Sequence, residues 1–402
     1  MRKDVVAARF SWNPSTGKVS RGARVANQDD LPFGCLDNTG AFQRTRLESW
    51  LADRAIPALR PNARKRLSQA GIASESELLA LGFGLGLSDQ YWIKPAESDV
   101  AWADVNYFDN GFSPELGELL VAHDPDSIPD LARLLRLTPS LLGRSPDAAL
   151  NGNLPKKWEL DGEKRVLVKY GKPDGRFQEP FNEVLVSSLC KRLLGNAGYV
   201  PYDLRDKGYL RYESTCPCMV DADTEFVPAI QLHDSHRRRN DEDLGAFYLR
   251  VCREHGIDVA QDVEKMIVVD YISANSDRHW NNFGILADSD SRRFIAAAPI
   301  FDTGESFWCD REFDGGPFVG YKMRRQNACR PFMRDIDAQI DRYCGDLSWF
   351  APERLDGFAD EVAQTLAANP LVANEAGRIE AVCDAVKRRI RHVARHAAKR
   401  AG

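Results

Sequence analysis

The chain lacks an apolar run long enough to cross a membrane. Its most apolar stretches, such as Ala296–Phe301, fall far short of the roughly 18 residues a spanning helix requires. No apolar segment follows Met1-Arg2-Lys3-Asp4, so no signal peptide is expected. There is no excess of positive charge: 54 basic residues face 59 acidic ones, for a net charge of −5. Nucleic acid is therefore not expected as a partner of the surface as a whole. Glycine and proline, 29 and 21 among 402 residues, are too few for a collagen-like or low-complexity chain. No repeat period stands out. Histidine is scarce, with 7 in all. None accompanies Cys216-Pro-Cys218, the one close cysteine pair, so a zinc site is not expected there. The nine cysteines are odd in number and scattered, which suits reduced thiols of a cytoplasmic protein, mostly packed in the core. What remains is an ordinary globular balance, 43% hydrophobic and 28% charged. A chain of this length makes two or three domain-sized units and buries about three quarters of its unfolded surface.

Val5–Trp12 and Lys18–Val25 read as two short strands around the turn Asn13–Gly17. Helical spacing begins near Phe42, with Leu47, Trp50, Leu51 and Ala55 on one face, and continues from Leu67 to Leu81. Ser88–Asp109 reads as an ordered loop, and Pro129–Leu137 as a short helix closed by Pro139. The texture then changes. Arg165–Tyr170 is β-branched and apolar, hence a strand, and Phe181–Leu194 carries a helical apolar face. Val227–Leu244 is polar and reads as a loop. Helices follow at about Leu244–His255 and Val259–Ala274, then strands at Phe283–Ala287 and Arg293–Pro299. The remainder is mostly helical and ends in a long helix with an apolar stripe from Ile379 to Ala397.

The most informative stretch is Asn275-Ser276-Asp277-Arg278-His279-Trp280-Asn281-Asn282-Phe283-Gly284, at the end of an apolar helix and the start of a strand. Asp277 and Asn282 are five residues apart. Protein kinases use that spacing for an Asp that accepts the substrate hydroxyl proton and an Asn that binds metal. Twenty residues after Asn282, Pro299-Ile300-Phe301-Asp302-Thr303-Gly304 ends a strand on an aspartate before a small flexible turn. Magnesium favours such hard oxygen ligands. Upstream, Lys169 closes the strand Val166–Val168, and Glu183 lies fourteen residues on, early in the next helix. A strand lysine paired with a helix glutamate is how kinases hold the α- and β-phosphates. Ahead of that strand, Ser145–Lys157 is small and polar, with Gly152 and Lys156 suited to covering phosphates. It has no GxGxxG pattern.

In this order the residues resemble the HipA-type serine/threonine kinase family, related in fold to phosphatidylinositol kinases and protein kinases. The resemblance covers about residues 141–310 by motif, and Asn275-x-Asp277-x-His279-x-x-Asn282 is its most specific part. It implies an α+β, bilobal protein-kinase-like fold with a small β-rich lobe and a helical C-lobe, preceded here by an extra N-terminal α/β region. The expected division is 1–140 as the accessory region, 141–228 as the nucleotide lobe and 229–402 as the helical lobe. It implies Asp277 as catalytic acid/base, Lys169 as the ATP-phosphate lysine, and Asn282 and Asp302 as Mg2+ ligands. Met219 and Val220 fall where an adenine-binding hinge belongs, and Ser145 is the candidate for self-phosphorylation. His279 is read as holding loop geometry rather than as a second base. The expected activity is ATP- and Mg2+-dependent phosphoryl transfer to a Ser/Thr hydroxyl of a protein, with an inhibitory partner protein as in toxin–antitoxin pairs. A small-molecule or lipid kinase and a nucleotide-binding pseudokinase are the alternatives. The phosphate loop is longer than in HipA, residues 1–140 show no clear likeness to HipA's N-terminal part, and no helix-turn-helix signature is present.

Other motifs are weaker. Asp302-Thr303-Gly304 resembles an aspartic-protease triplet, but a second copy is missing. Gly82-Phe83-Gly84-Leu85-Gly86 follows a helical pattern rather than a strand, so it is no dinucleotide fingerprint. His392 and His396 lack the glutamate of HExxH and read as part of a solvated face. Asp335, Asp337 and Asp341 lack the glycine of a calcium loop. Arg388, Arg391, Arg395 and Lys399 read as the solvated side of the last helix.

Overall fold

The computed structural model describes residues 1–57, 60, 62–122, 124, 126–208, 211–318, 331–333 and 335–401. Cys329 lies outside them. The chain forms two compact units. One gathers Met1–Val168, Cys218–Arg238 and Leu286–Arg293; the other gathers Lys169–Pro217, Arg239–Ile285 and Phe294–Gly402. The architecture is α+β, with helices and small sheets. No helix among the described residues is long and apolar enough to cross a membrane.

In the first unit the expected hairpin is present but fragmented. Trp12 pairs with Val19 and Asn13 with Lys18, while Ala8–Arg9 pairs with Arg24–Val25. A turn at Arg21–Gly22 interrupts the ladder between the two pairs. Asn13 shapes the hairpin turn: its side-chain oxygen accepts the Ser15 N–H at 2.9 Å, the local bonding that makes Asn a turn residue. Helices run over Arg44–Arg54, Ala63–Gln69 and Glu75–Leu81. The last two divide at Gly71, at φ +83°, and Ser74 caps the second by accepting the Glu77 N–H. Leu47, Trp50 and Leu51 pack with Ala7, Val19 and Tyr91. A second cluster joins Ile56, Leu67 and Leu78 to Leu116, Leu119 and Leu135. It includes the helix Glu115–Val121, which the sequence pattern did not suggest.

One expectation fails here. Val227–Leu244 is not all loop: a strand covers Thr224–Pro228 and a helix covers Ala229–Ser235. Pro228 precedes the first helical turn, and Ala229 and Leu232 are fully buried. Seven residues carry too few apolar positions for a helical period to be read.

The second unit is built on the helix Glu179–Leu194, nearly all of whose first turns are buried. Asp203–Asp206 pairs antiparallel with Tyr212–Pro217, placing Asp203 opposite Thr215 and Asp206 opposite Tyr212. Helices Leu244–Glu254 and Ala260–Ser273 follow, the first capped by Asp243. Ala274 ends the second in a left-handed conformation, φ 55°, and so turns the chain sharply into the Asn275–Asn282 loop. The terminal helix Arg378–Ala401 buries Val382, Val386 and Val393. Its histidines are not on a solvated face. His396 bonds to the Cys344 carbonyl at 3.0 Å and pairs with Asp341, and His392 lies against Tyr271. Arg391, Arg395 and Lys399 are exposed. Asp335 caps the helix Ile336–Tyr343 rather than a calcium loop. All eight described cysteines are free thiols and all but Cys218 are buried.

Candidate active site

The second unit brings Lys169, Glu183 and Asp302 together. Lys169 is 3% exposed and Glu183 1%. The Lys169 ammonium donates to Glu183 Oε1, and to Asp302 Oδ1 at 2.6 Å. Burial opposes that positive charge. The carboxylates of Asp302 and Glu183 overcome it and hold the ammonium well above the ordinary lysine value. Two residues complete the cluster. Ser214, fully buried on its strand, donates its hydroxyl to Glu183 Oε2. Tyr202 places its ring 5.5 Å from the Lys169 ammonium and accepts the Asp302 N–H at 3.4 Å through its hydroxyl. Asp302 itself has φ 54°, a left-handed backbone that is costly outside glycine and is stored where surrounding structure fixes it.

The Asn275–Asn282 loop is held from beneath by Arg278, which is 1% exposed. Its guanidinium donates to both carboxylate oxygens of Asp270, at 2.8 and 3.0 Å. It also donates to the Asn282 carbonyl at 2.5 Å and the Phe301 carbonyl at 2.7 Å. One side chain thus ties together the residue after Asp277, Asn282 itself and the residue before Asp302. Asn275 adds a bond to Asp270 and accepts the Asp277 N–H. His279 Nδ1 accepts the Asn281 N–H at 3.2 Å, while Nε2 lies 3.8 Å from Asp277 Oδ2. Its backbone N–H goes to the Asp277 carbonyl and its carbonyl takes the Asn282 N–H, bonds that shape the loop.

The turn after Asp302 rests on another charged pocket. The Glu305 carbonyl accepts both the N–H and the hydroxyl of Ser276, and Lys172 pairs with the Glu305 carboxylate. Beside it Glu179 is 1% exposed, and burial pushes its carboxyl up to about 8. Gly175 packs directly against that carboxylate.

The remaining predicted residues lie in the first unit. Ser145 is fully buried, and its hydroxyl donates to Asp147 at 2.9 Å. Asp147 also accepts the Trp158 N–H, and burial pushes its carboxyl up to about 7. Gly152 takes φ +101° with the Lys156 ammonium against it. Val220 is buried and Met219 half-buried, just past Cys218, whose N–H bonds the Arg165 carbonyl.

Asn282 and Asp302 fit a hard divalent cation by their donor chemistry. The Asn282 amide donates to the Asp277 carbonyl at 3.0 Å, which turns its oxygen away as the atom to face a cation. Among the described residues no group of three or more His, Cys, Asp or Glu side chains is placed to hold a metal. A divalent cation held by that pair would take its remaining ligands from water or phosphate oxygens.

No family model matches the sequence, and no curated protein matches it. Solved structures do. HipA of Shewanella oneidensis MR-1, from its complex with HipB and operator DNA, aligns over 97% of this chain and 96% of its own. The TM-score is 0.53 at 12% identity. The fold is HipA-like. A second similar structure is the proinflammatory kinase CtkA of Helicobacter pylori. It aligns over 60% of this chain and 93% of its own, with a TM-score of 0.38 and 14% identity. Arg278, Asp270, Ser214 and Tyr202 were not singled out by the sequence pattern. Asp270 carries a readable signal, a lone acid in the apolar run Met266–Ile272, because a buried charge calls for a partner.

Proposed function

We propose that this protein is an ATP- and Mg2+-dependent kinase that transfers the γ-phosphoryl group to a Ser/Thr hydroxyl of a protein. The observation that carries the reading is the buried cluster in which Lys169 bridges Glu183 and Asp302. Lys169 is charged and fixed in place by Glu183, as a group meant to meet phosphate oxygens must be. Asp277 orients the acceptor hydroxyl and takes its proton. His279 and Arg278 hold the loop that carries Asp277. Asn282 and Asp302 would hold Mg2+, which supplies neutralisation of the charge developing on the transferred group. Catalysis in this scheme is mostly positioning and electrostatic stabilisation.

The division into 141–228 as nucleotide lobe and 229–402 as helical lobe belongs to this reading, as do a cytoplasmic location and a restraining protein partner. The similar HipA structure contains HipB. Self-phosphorylation at Ser145 requires the segment to open, because its hydroxyl is buried on Asp147.

The test is intact-mass spectrometry of the full chain before and after Mg-ATP, alongside Asp277→Ala. Wild type is expected to gain phosphate. The variant is expected to lose about 10²–10⁴-fold in rate while still binding ATP. Equal transfer by both proteins removes Asp277 from the mechanism. ATP binding without phosphate gain moves the function to a small-molecule or lipid kinase, or to a nucleotide sensor.

A further inference from the structure

The N-terminal region reaches the Ser145–Lys157 segment through one guanidinium. Arg60 is 2% exposed. Its Nε donates to the Gly152 carbonyl at 3.1 Å, and its Nη2 donates to the same oxygen at 3.0 Å and to the Leu150 carbonyl. Burial lowers its pKa to about 10, which still leaves it a cation at neutral pH. A charged group buried against carbonyls must organise something, since the burial itself is unfavourable.

What it organises follows from peptide geometry. In a planar trans peptide the C=O and the next residue's N–H point in opposite directions. Drawing the Leu150 and Gly152 carbonyls onto Arg60 therefore turns the N–H groups of Asn151 and Asn153 to the other side. Both residues are exposed. The N–H between them, of Gly152, is taken by the Asn151 side chain at 2.6 Å. Gly152 makes the arrangement feasible: its φ of +101° is open to glycine alone. A Cβ there would collide with the Lys156 ammonium, so that charge sits against the same turn. Outward N–H groups on either side of a turn, beside a cation, offer donors to an anion.

We propose that Arg60 is the positioning residue of an anion-binding loop in which the Asn151 and Asn153 N–H groups and the Lys156 ammonium receive phosphate oxygens. That the anion is the polyphosphate of a nucleotide rests on the kinase reading above. The N-terminal region then contributes to this loop, since one of its side chains sets the loop's shape.

The experiment uses the full chain with tripolyphosphate and Mg-ATP as probes, and adenosine as a control for the base. In wild type, hydrogen exchange at the Asn151 and Asn153 amides is expected to slow when tripolyphosphate is added. Arg60→Lys keeps the charge but cannot fork to two carbonyls. It is expected to weaken tripolyphosphate and Mg-ATP binding about tenfold or more, with adenosine binding unchanged. Unchanged exchange at both amides overturns the proposal, and this reading needs no variant to fold. A folded Arg60→Lys with wild-type affinity for tripolyphosphate overturns it as well, even if phosphate transfer is intact and the kinase reading stands. Amide protection by tripolyphosphate in a protein that transfers no phosphate supports the loop while removing the kinase.

Discussion

Two clusters, one in each unit, bury charge in different ways. At the candidate site Lys169 lies between Glu183 and Asp302, and Arg278 is gripped by Asp270. In the first unit Arg60 is held by backbone carbonyls, and Asp147 by a backbone N–H and a hydroxyl. The outcomes differ accordingly. Lys169 is held in its charged form by its carboxylates, whereas burial pushes Asp147 up to about 7. Paired burial keeps a charge available for chemistry. Burial against neutral dipoles fixes the shape of a loop, and it leaves a carboxyl such as Asp147 near its titration point.

Breaking the pairing gives the largest expected effect. Lys169→Met leaves two carboxylates without their cation. Removing one partner of a buried pair typically costs about 3–5 kcal/mol, and with it goes the group proposed to meet phosphate. The expected outcome is a lower unfolding midpoint together with loss of phosphate transfer. Adding Glu183→Gln to Lys169→Met removes one orphaned charge, so part of the stability is expected back and none of the transfer. Recovery of transfer along with stability would mean Lys169 is only structural. Chemical denaturation and the intact-mass assay, run on both variants, decide it.

A smaller effect is expected at Arg278, because its contribution is alignment. Arg278→Lys keeps the charge beside Asp270 but cannot also reach the Asn282 and Phe301 carbonyls. Losing charge-assisted bonds of this kind costs about 2 kcal/mol. If the guanidinium sets Asn282 against Asp302, the Mg2+ concentration for half-maximal rate rises and kcat falls, with the KM for acceptor unchanged. A loss of stability with an unaltered Mg2+ requirement would assign Arg278 to packing alone.

The sequence made some of this architecture readable and hid the rest for identifiable reasons. The Lys169 strand, the Glu183 helix and the Asp277-to-Asn282 loop were legible because each sits in a long periodic element or carries a fixed spacing, and the structure makes the Lys169–Glu183 contact. The HipA-like fold was legible through the order of those motifs. Ser214 and Tyr202 were not, since a serine on a buried strand and a tyrosine in a connector look like ordinary core residues until the neighbours are known. The helices Glu115–Val121 and Ala229–Ser235, seven residues each, are too short for periodicity. Arg60 was hidden for another reason: its partners are carbonyls about 90 residues away, and a backbone acceptor has no signature in sequence.

The smallest expected effect tests the neutral side of the comparison. Asp147 has its folded pKa raised to about 7 from an ordinary carboxylate value of 3.8, chiefly by burial. Its native form therefore holds a proton that the unfolded chain has already released across that window. Stability linked to this group is fully present below about pH 4 and is lost as pH rises through about 7. Asp147→Asn removes the proton but keeps an acceptor for the Trp158 N–H, so it flattens that part of the slope. The shift sets an upper limit of about 4 kcal/mol. The net gain at pH 8 is expected nearer 1 kcal/mol, because the amide places a donor against Ser145. Glu225 and Glu179, pushed up to about 7 and about 8, slope the same way and remain in the variant. The readout is thus the difference between variant and wild type in denaturant midpoint at pH 5, 6, 7 and 8. A difference that grows with pH supports a protonated Asp147 in the native state. A constant difference would place its carboxylate in the charged form throughout, and Asp147 would then be buried as a charge, as Lys169 is.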